Sequence, residues 1–251
     1  MKSLRFAAAA YSNSAPLVAC LKEVNPSIEL YYGVPSMHVE ELIAGKIDCA
    51  LIPVAHAFKH PELKILDRVG VASDGPVKSV LLKCHKPLSQ IISVARDPAS
   101  GTSNVLAELL LQHHFGLSVE MVDDNISDAE VVIGDRALLS EPAEFGDIDL
   151  ASAWKELTNL PFVFAVWAVS PNFKEVNIIE EITMEAAHLG CNRISELADH
   201  YSHNLGNSAD YWRSYLENSI RYFITDKDLE GIKKFKTMAA VHQLLLTQVE
   251  A

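Results

Sequence analysis

The sequence predicts an α/β fold of two lobes, each built on a mixed sheet flanked by helices. Strand patterns alternate with helix patterns in the first third of the chain, at the spacing typical of βαβ units. The alternation loosens after residue 63 and restarts at Ile91, as though a second sheet began there. From Glu175 onward the pattern is helical only. One domain inserted into another, with two crossings, describes a clamshell with its ligand in the hinge cleft.

In the first lobe, each strand pattern is followed by a helix signal or a turn. Ser14, with Pro16 in the first turn, and Ser36 are the predicted N-caps of two helices. Gly45 is the predicted stop of the second helix. The predicted strands are 4–10, 28–32 and 47–52, and the predicted helices are 15–23 and 37–44.

The middle of the chain leads into the second lobe. Two strands are expected between residues 63 and 82, around a turn at 73–76. The run 162–169 has no polar residue, which predicts a central strand that is covered on both faces and returns the chain to the first lobe. Further strands are predicted at 91–95, 119–122 and 131–133, and helices at 104–115 and 136–139.

The C-terminal tail lacks a sheet of its own, so we expect it to pack on the first lobe. Its predicted helices are 178–201, 208–222 and 226–246. The predicted lobe one is therefore discontinuous. It comprises residues 1–84 and 171–251, and residues 85–170 form the inserted lobe two.

Charge and hydropathy narrow the class of partner. The 251 residues carry a net charge of −12, which argues against nucleic acid or an anionic membrane as the main partner. No stretch approaches the roughly 20 apolar residues of a membrane span. The first ten residues loosely resemble a signal peptide, but their apolar run is short and ends at Tyr11. We therefore predict a first strand and a cytoplasmic protein.

The cysteines and histidines do not predict a metal site. The cysteines are widely spaced, lie among apolar neighbours and form no Cys-x-x-Cys pair, so we expect buried free thiols. They are Cys20, Cys49, Cys84 and Cys191. The pairs His113-His114 and His200-x-x-His203 lack matching ligand spacing elsewhere, and we expect surface histidines.

Short polar segments stand where predicted strands give way to helices. Residues 12–14, 97–103 and 134–135 each follow an apolar strand. In open α/β sheets these junctions lie at the carboxyl edge, where small ligands bind. Helix N-termini at that edge present backbone N–H groups that suit carboxylates and phosphates. The sequence therefore predicts a binding site for a small anion.

The turn before the helix at 104–115 is the strongest candidate. Ser100, Thr102 and Ser103 supply more hydroxyls than a cap needs, and Gly101 permits a backbone folded closely around a ligand. We predict that these residues bind the anion. Asp97 is expected to be structural, fixing the turn by accepting backbone N–H bonds.

Two further residues leave alternatives open. The Asn13 amide offers a donor and an acceptor, but residues 12–14 also suit a simple helix cap. Ser79 lies near the expected hinge, and its hydroxyl faces either the cleft or the solvent side of a strand.

Gly134 and Asp135 follow a buried strand and are included among the predicted ligand contacts. The favoured role of Asp135 is nevertheless to start a helix and to pair with Arg136 or a backbone N–H, because a carboxylate repels an anion.

Known catalytic and cofactor motifs are missing from the sequence. It has no Gly-x-Ser-x-Gly elbow, Walker loop or Gly-x-Gly-x-x-Gly motif. We therefore predict no cofactor, and either pure binding or a reaction that needs only positioning and a weak acid or base.

The chain resembles the chorismate dehydratases of the futalosine route to menaquinone over nearly its whole length. The resemblance rests on the order and spacing of segments 11–17, 33–36, 45–48, 75–80, 97–103, 133–138, 154–167 and 215–222. It implies a type II periplasmic-binding-protein-like fold. It also implies cofactor-free dehydration of chorismate, a small dicarboxylate, to 3-[(1-carboxyvinyl)oxy]benzoate.

The resemblance further implies residue roles. Asn13 and Ser79 become the expected catalytic residues, orienting the ring, the ether or the departing hydroxyl. The turn at 100–103 is expected to hold one carboxylate, and the contacts of the first lobe include Ser12, Ser14 and Ser36. No protein base is identified, because an Asn amide is only weakly basic; a substrate carboxylate is one alternative.

Two departures from the family pattern leave other functions open. Gly101 stands where the family usually has Arg, which removes a cation, and the first strand is rich in alanine. A non-catalytic intracellular binding protein or sensor for an aromatic carboxylate is the alternative function. The related dihydroxynaphthoate synthases are a second alternative, but they carry a catalytic His where this chain has Gly134-Asp135.

Overall fold

The computed structural model describes residues 3–123 and 126–242. These residues form two compact units. Unit 1 comprises the described residues of Met1–Ala72 and Val163–Thr225, and unit 2 those of Ser73–Phe162 and Asp226–Ala251.

The elements alternate between strands and helices up to residue 169. The strands are β1 (Leu4–Ala8), β2 (Ile28–Tyr32), β3 (Cys49–Pro53), β4 (Lys64–Ser73), β5 (Val80–Cys84), β6 (Ser93–Ala95), β7 (Glu120–Val122), β8 (Ala129–Ile133), β9 (Asp147–Asp149), β10 (Phe162–Val169) and β11 (Arg221–Phe223). The α-helices are α1 (Ala15–Val18), α2 (Leu21–Val24), α3 (Pro35–Ile43), α4 (Val54–Lys59), α5 (Gly101–His113), α6 (Gly134–Leu139), α7 (Leu150–Thr158), α8 (Val176–Cys191), α9 (Ile194–Leu205), α10 (Ala209–Ser214) and α11 (Asp226–Val241). Short 3₁₀ segments lie at Ser12–Ser14 and Leu88–Gln90, and a π-helical turn lies at Tyr215–Ser219.

Unit 1 is built on a six-stranded sheet in the order β11-β4-β10-β3-β1-β2. β1 runs parallel to β2 and β3, and β10 runs antiparallel to β3. As predicted, the apolar strand β10 is central, and its Trp167 is fully buried. The Trp167 ring meets Phe6 of β1 edge-on, with 5.8 Å between centroids. Continuous apolar composition therefore matches a strand that is covered on both faces.

Unit 2 is built on a five-stranded sheet in the order β7-β6-β8-β5-β9. β6 is parallel to β7 and β8, and β5 is antiparallel to β8 and β9. Trp154 of α7 is fully buried and packs edge-on against Phe162 and Phe235 of α11. The prediction of a mixed sheet flanked by helices in each part is confirmed.

The units divide at other residues than the predicted lobes. β5 was placed in lobe one, but its residues Val80 and Cys84 pair with Ile133 and Ala129 of β8 in unit 2. α11 was expected to pack with the first lobe, yet its Phe235 packs on Trp154 in unit 2. The turn at 73–76 therefore joins two different sheets. Its local sequence does not distinguish such a connection from the turn of a hairpin within one sheet.

The expectation of a purely helical tail is wrong. β11 pairs antiparallel with β4, with Arg221 opposite Ala72 and Phe223 opposite Val69. Sequence periodicity missed β11 because three residues are too few to show an alternation. It also missed the short elements β9, α4 and α7. The predicted helix residues 243–246 lie outside the described residues.

The thiols follow the sequence prediction closely. Cys20, Cys49 and Cys84 are buried and unpaired, and Cys191 is half-buried and unpaired. Burial raises the pKa of each thiol, and raises that of Cys191 to about 11. Among the described residues, no helix is long and apolar enough to cross a membrane.

Gly190 is required by a close approach between helices. A Cβ added to Gly190 of α8 would lie 1.9 Å from the carbonyl oxygen of Pro16 in α1. We expect Gly190→Ala to lower the free energy of unfolding by about 2–4 kcal/mol, because two backbones would have to separate. Urea unfolding followed by circular dichroism measures this change. Glu185→Ala, on the exposed face of α8, is the control and should change stability by under about 0.5 kcal/mol.

Candidate functional site

One edge of the unit 2 sheet collects several of the predicted site residues. β6 and β8 run parallel, so the polar segments that follow them lie at the same edge. β5 runs antiparallel to β8, with Val80 opposite Ile133, so the residue before β5 lies there too. The structure thus brings together Ser79, the turn at 97–103 and Gly134.

The turn after β6 caps a long helix. α5 begins at Gly101, and Ser100 is its N-cap, accepting a hydrogen bond from Ser103 N–H at 3.1 Å. The Ser100 hydroxyl donates to the Ser103 hydroxyl oxygen at 2.8 Å. This arrangement leaves the hydroxyl proton of Ser103 to point elsewhere. Ser100, Thr102 and Ser103 are all buried.

Asp97 fixes the shape of this turn. Its carboxylate is 3% exposed; one oxygen accepts Ala99 N–H at 2.9 Å, and the other accepts Ile133 N–H at 3.2 Å. The guanidinium of Arg136 donates to that second oxygen at 2.6 Å. The predicted structural role of Asp97 is therefore confirmed. The hydrogen bonds that Asp97 accepts from Ile133 of β8 and Arg136 of α6 were not predicted. The sequence predicts only Asp135 as the acidic partner of Arg136.

Asn104 gives the turn a second brace. Its side-chain oxygen accepts Asp97 N–H, and its amide donates to the Asp97 carbonyl, both at 2.9 Å. Sequence analysis assigned Asn104 only to the helix. One sequence signal could have indicated this contact. Asn104 is a polar residue in the first turn of a helix, four residues after the Ser cap.

Gly134 links this turn to Ser79. It has a positive φ of 65°, and its N–H donates to the Ser79 carbonyl at 2.8 Å. Ser79 is fully buried, so the alternative that its hydroxyl faces solvent is wrong. Asp135 is half-buried in the first turn of α6.

Asp149 and Lys78 were missed by the sequence analysis. Asp149 caps α7 and also accepts the N–H groups of Val77 and Lys78, at 3.0 and 2.7 Å. Lys78 has a positive φ of 64°. An Asp directly before a helix pattern is a recognisable cap, but its second attachment is a tertiary contact that no local pattern reveals.

The first junction of unit 1 is folded differently from the prediction. Residues Ser12–Ser14 form a 3₁₀ turn, and Ser14 donates its hydroxyl to the carbonyls of Ala9 and Tyr11, at 3.0 and 2.8 Å. Ser14 is therefore not the side-chain cap of α1. Ser12 and Ser14 are buried, whereas Asn13 is half-buried, and no hydrogen bond within the described part of the chain involves its amide.

A cavity of about 350 Å³ lies between β2 and α3 in unit 1. Aromatic and apolar side chains line it together with His38, Glu41 and Lys46; they are Tyr31, Tyr32, Val34, Met37 and Ile47. His38 is 3% exposed, its Nδ1 lies 3.3 Å from the Glu41 carboxylate, and its Nε2 has no partner among the residues described. The sequence did not predict this cavity, because a single His on an amphipathic helix does not indicate one.

The predicted cap at Ser36 is wrong, because α3 starts at Pro35 with Val34 as its N-cap. Ser36 is thus inside the helix. The structure does not describe the side chain of Ser36, so its predicted contact with the ligand stays a prediction.

His56, in α4 directly after β3, has a perturbed pKa. Burial, together with the nearby charges of Lys59 and His60, lowers its pKa to about 4. The imidazole is therefore neutral at pH 7. Burial disfavours its charged form, and no carboxylate among the described residues contributes to the shift.

The described residues contain no group of three or more His, Cys, Asp or Glu side chains that could hold a metal ion. His200 and His203 are exposed, as predicted. His114 pairs with Glu156 at 3.2 Å, and His113 lies 2.7 Å from His242, so two of these histidines have side-chain partners.

Comparison with known proteins identifies the family. A family model described as menaquinone biosynthesis matches residues 4–241. The chain belongs to this menaquinone-biosynthesis family. A member from Thermus thermophilus, named chorismate dehydratase, is 30% identical over 249 residues, covering 90% of this chain and 91% of its own length. A protein of the same name from Campylobacter jejuni is 29% identical, covering 90% of this chain and 92% of its own.

Solved structures place the family member in a known fold. A protein of Archaeoglobus fulgidus aligns with a TM-score of 0.75 at 15% identity, covering 96% of this chain and 98% of its own. The periplasmic aliphatic sulphonate binding protein of Escherichia coli aligns with a TM-score of 0.65 at 16% identity, covering 99% and 95%. The predicted type II periplasmic-binding-protein-like α/β fold is confirmed.

Loss of the Asp97 charge should weaken unit 2. We expect Asp97→Asn to lower the free energy of unfolding by about 2–3 kcal/mol, because the amide cannot satisfy both N–H groups and the guanidinium. Asp123→Asn is the matched control. Asp123 pairs with Arg96 but is 84% exposed, so its loss should cost under about 1 kcal/mol. Equal losses for the two variants, measured by urea unfolding, would contradict the role of Asp97.

His56 makes stability depend on pH. Its pKa is lower in the folded protein than in the unfolded chain, so protonation favours unfolding. Its effect is absent above about pH 6.5, and stability falls as pH drops from there to about 4, by roughly 3 kcal/mol at most. Urea midpoints measured across this range should fall less steeply in His56→Gln. His203→Gln, at an exposed position, should leave the slope unchanged.

Proposed function

We propose that this protein dehydrates chorismate to 3-[(1-carboxyvinyl)oxy]benzoate in the futalosine route to menaquinone. The protein would act in the cytoplasm as a hydro-lyase without a cofactor. Membership of the menaquinone-biosynthesis family and two relatives named chorismate dehydratase support this substrate.

The chemistry asks little of the protein. The ring loses the proton beside the ether, its electron pair forms a new double bond, and the neighbouring C–O bond breaks to release water. The product ring is aromatic, so the driving force resides in the substrate. Holding the ring and placing one proton acceptor are sufficient tasks for the site.

The observation that carries the proposal is the prebuilt turn at residues 97–103. Asp97 and Asn104 fix its backbone, and the Ser100 cap leaves the Ser103 hydroxyl proton for an outside acceptor. The dipole of the 13-residue helix α5 favours an anion at this end. We assign one substrate carboxylate to Ser100, Gly101, Thr102 and Ser103.

The remaining assignments are part of the same proposal. Asn13 and Ser79 orient the ring and the departing hydroxyl, and an amide with no partner in the described structure suits this task. Gly134 contributes through its bond to Ser79. Ser12 and Ser14 shape the turn that carries Asn13.

A second function is favoured by one specific observation. A periplasmic sulphonate-binding protein of Escherichia coli shares the fold. A non-catalytic binding protein for a small aromatic carboxylate would need the same turn and no proton acceptor. Binding of chorismate without turnover would support that function over the dehydratase.

Incubation of the purified protein with chorismate, followed by chromatography and mass analysis, tests the proposal. We expect one aromatic product that is lighter than chorismate by one water. Asn13→Ala should lower kcat by about 10²-fold with an unchanged unfolding midpoint, because a positioned polar group is lost. Asn204→Ala, an exposed amide on α9, is the control. Full activity of the Asn13 variant would overturn the assignment.

A further inference from the structure

Lys78 has a backbone conformation that is unusual for its side chain. The non-glycine residues with positive φ in the described ranges are Lys78, Asn159 and Asn207. Asn tolerates the left-handed region through local hydrogen bonds, whereas a long side chain gains nothing there. The positive φ of Lys78 must therefore be maintained by contacts with other residues.

Asp149 maintains this conformation. One carboxylate oxygen accepts Val77 N–H at 3.0 Å and Lys78 N–H at 2.7 Å, and the other accepts Ala151 N–H and Ser152 N–H. Four backbone N–H groups that donate to this one carboxylate tie the loop before β5 to the start of α7. The direction in which residue 78 leaves the backbone is thereby fixed.

The loop places Lys78 at the edge that carries the candidate site. Lys78 precedes the buried Ser79, whose carbonyl accepts Gly134 N–H, and Gly134 follows Ile133, which donates to Asp97. Two hydrogen-bonded steps therefore connect Lys78 to the turn that caps α5.

The Lys78 ammonium forms no ion pair with the other described residues. Its side chain is exposed, and none of the ion pairs between those residues involves it. Neighbouring cations in unit 2 do have acidic partners; the pairs are Arg136–Asp97, Lys155–Asp74, Lys83–Asp147, Arg96–Asp123 and Lys86–Asp128.

We propose that the Lys78 ammonium binds a carboxylate of the substrate. The inference deepens the proposed function and rests on it for the identity of the ligand. Lys78 acts in binding and in selecting a dicarboxylate, and takes no part in the proton transfer. Asp149 is a positioning residue that acts through the Lys78 backbone.

Two substitutions separate the side chain from the backbone. Lys78→Gly removes the ammonium but adopts a positive φ at lower cost, so its urea midpoint should rise. Lys78→Met also removes the ammonium but keeps the unfavourable conformation, so its midpoint should not rise. Both should increase KM for chorismate about tenfold and leave kcat within about twofold. Lys78→Arg should retain the wild-type KM.

Salt dependence and a distant lysine provide further checks. The KM of wild type should increase with NaCl concentration more steeply than that of Lys78→Met, because an ion pair is screened. Lys234→Met, on the exposed face of α11, should change neither KM nor its salt dependence. A wild-type KM in Lys78→Gly would show that residue 78 serves the turn only and would overturn the inference.

Calorimetric titration with chorismate distinguishes this inference from the proposed function. If wild type binds chorismate without turnover, the dehydratase proposal fails, and the dissociation constants of the Lys78 variants still decide the role of the ammonium. If wild type neither binds nor converts chorismate, both proposals fail.

Discussion

The candidate site depends on the buried carboxylate of Asp97. It joins three segments that are distant in sequence: the turn before α5, the end of β8 and the first turn of α6. A buried carboxylate with only one partner would be costly, and here two N–H groups and a guanidinium compensate it. The Ser100 cap and the Gly134–Ser79 contact are both anchored to this arrangement. The polar edge of unit 2 is therefore organised around one internal ion.

The sequence predicted the parts of the fold that rest on local patterns. β1, β2, β8 and α5 were found near their structural limits, because apolar periodicity and caps are written into neighbouring residues. The role of Asp97 was predicted because an Asp in a turn accepts nearby N–H groups. The resemblance of many short segments then indicated the family, which the family model confirms.

The errors share one physical cause, which is dependence on tertiary partners. The turn at 73–76 was visible, but whether β5 pairs with β4 or with β8 is decided by register across the sheet. Ser14 is a residue type that favours helix caps, but in the 3₁₀ turn its hydroxyl donates to the carbonyls of Ala9 and Tyr11 instead. Asp149 was passed over because its bonds to Val77 and Lys78 span more than 70 positions. The catalytic role predicted for Asn13 stays a proposal.

The paired hydroxyls at the start of α5 have a consequence for how the turn adapts to charge. The Ser100 oxygen accepts a backbone N–H and the Ser103 oxygen accepts the Ser100 hydroxyl, and rotation of an O–H bond moves no heavy atom. A chain of two hydroxyls also polarises itself, which strengthens the outermost donor. An anion bound at this turn, as we propose, could therefore change its ionisation with a rotation of O–H bonds alone and no rearrangement of the loop.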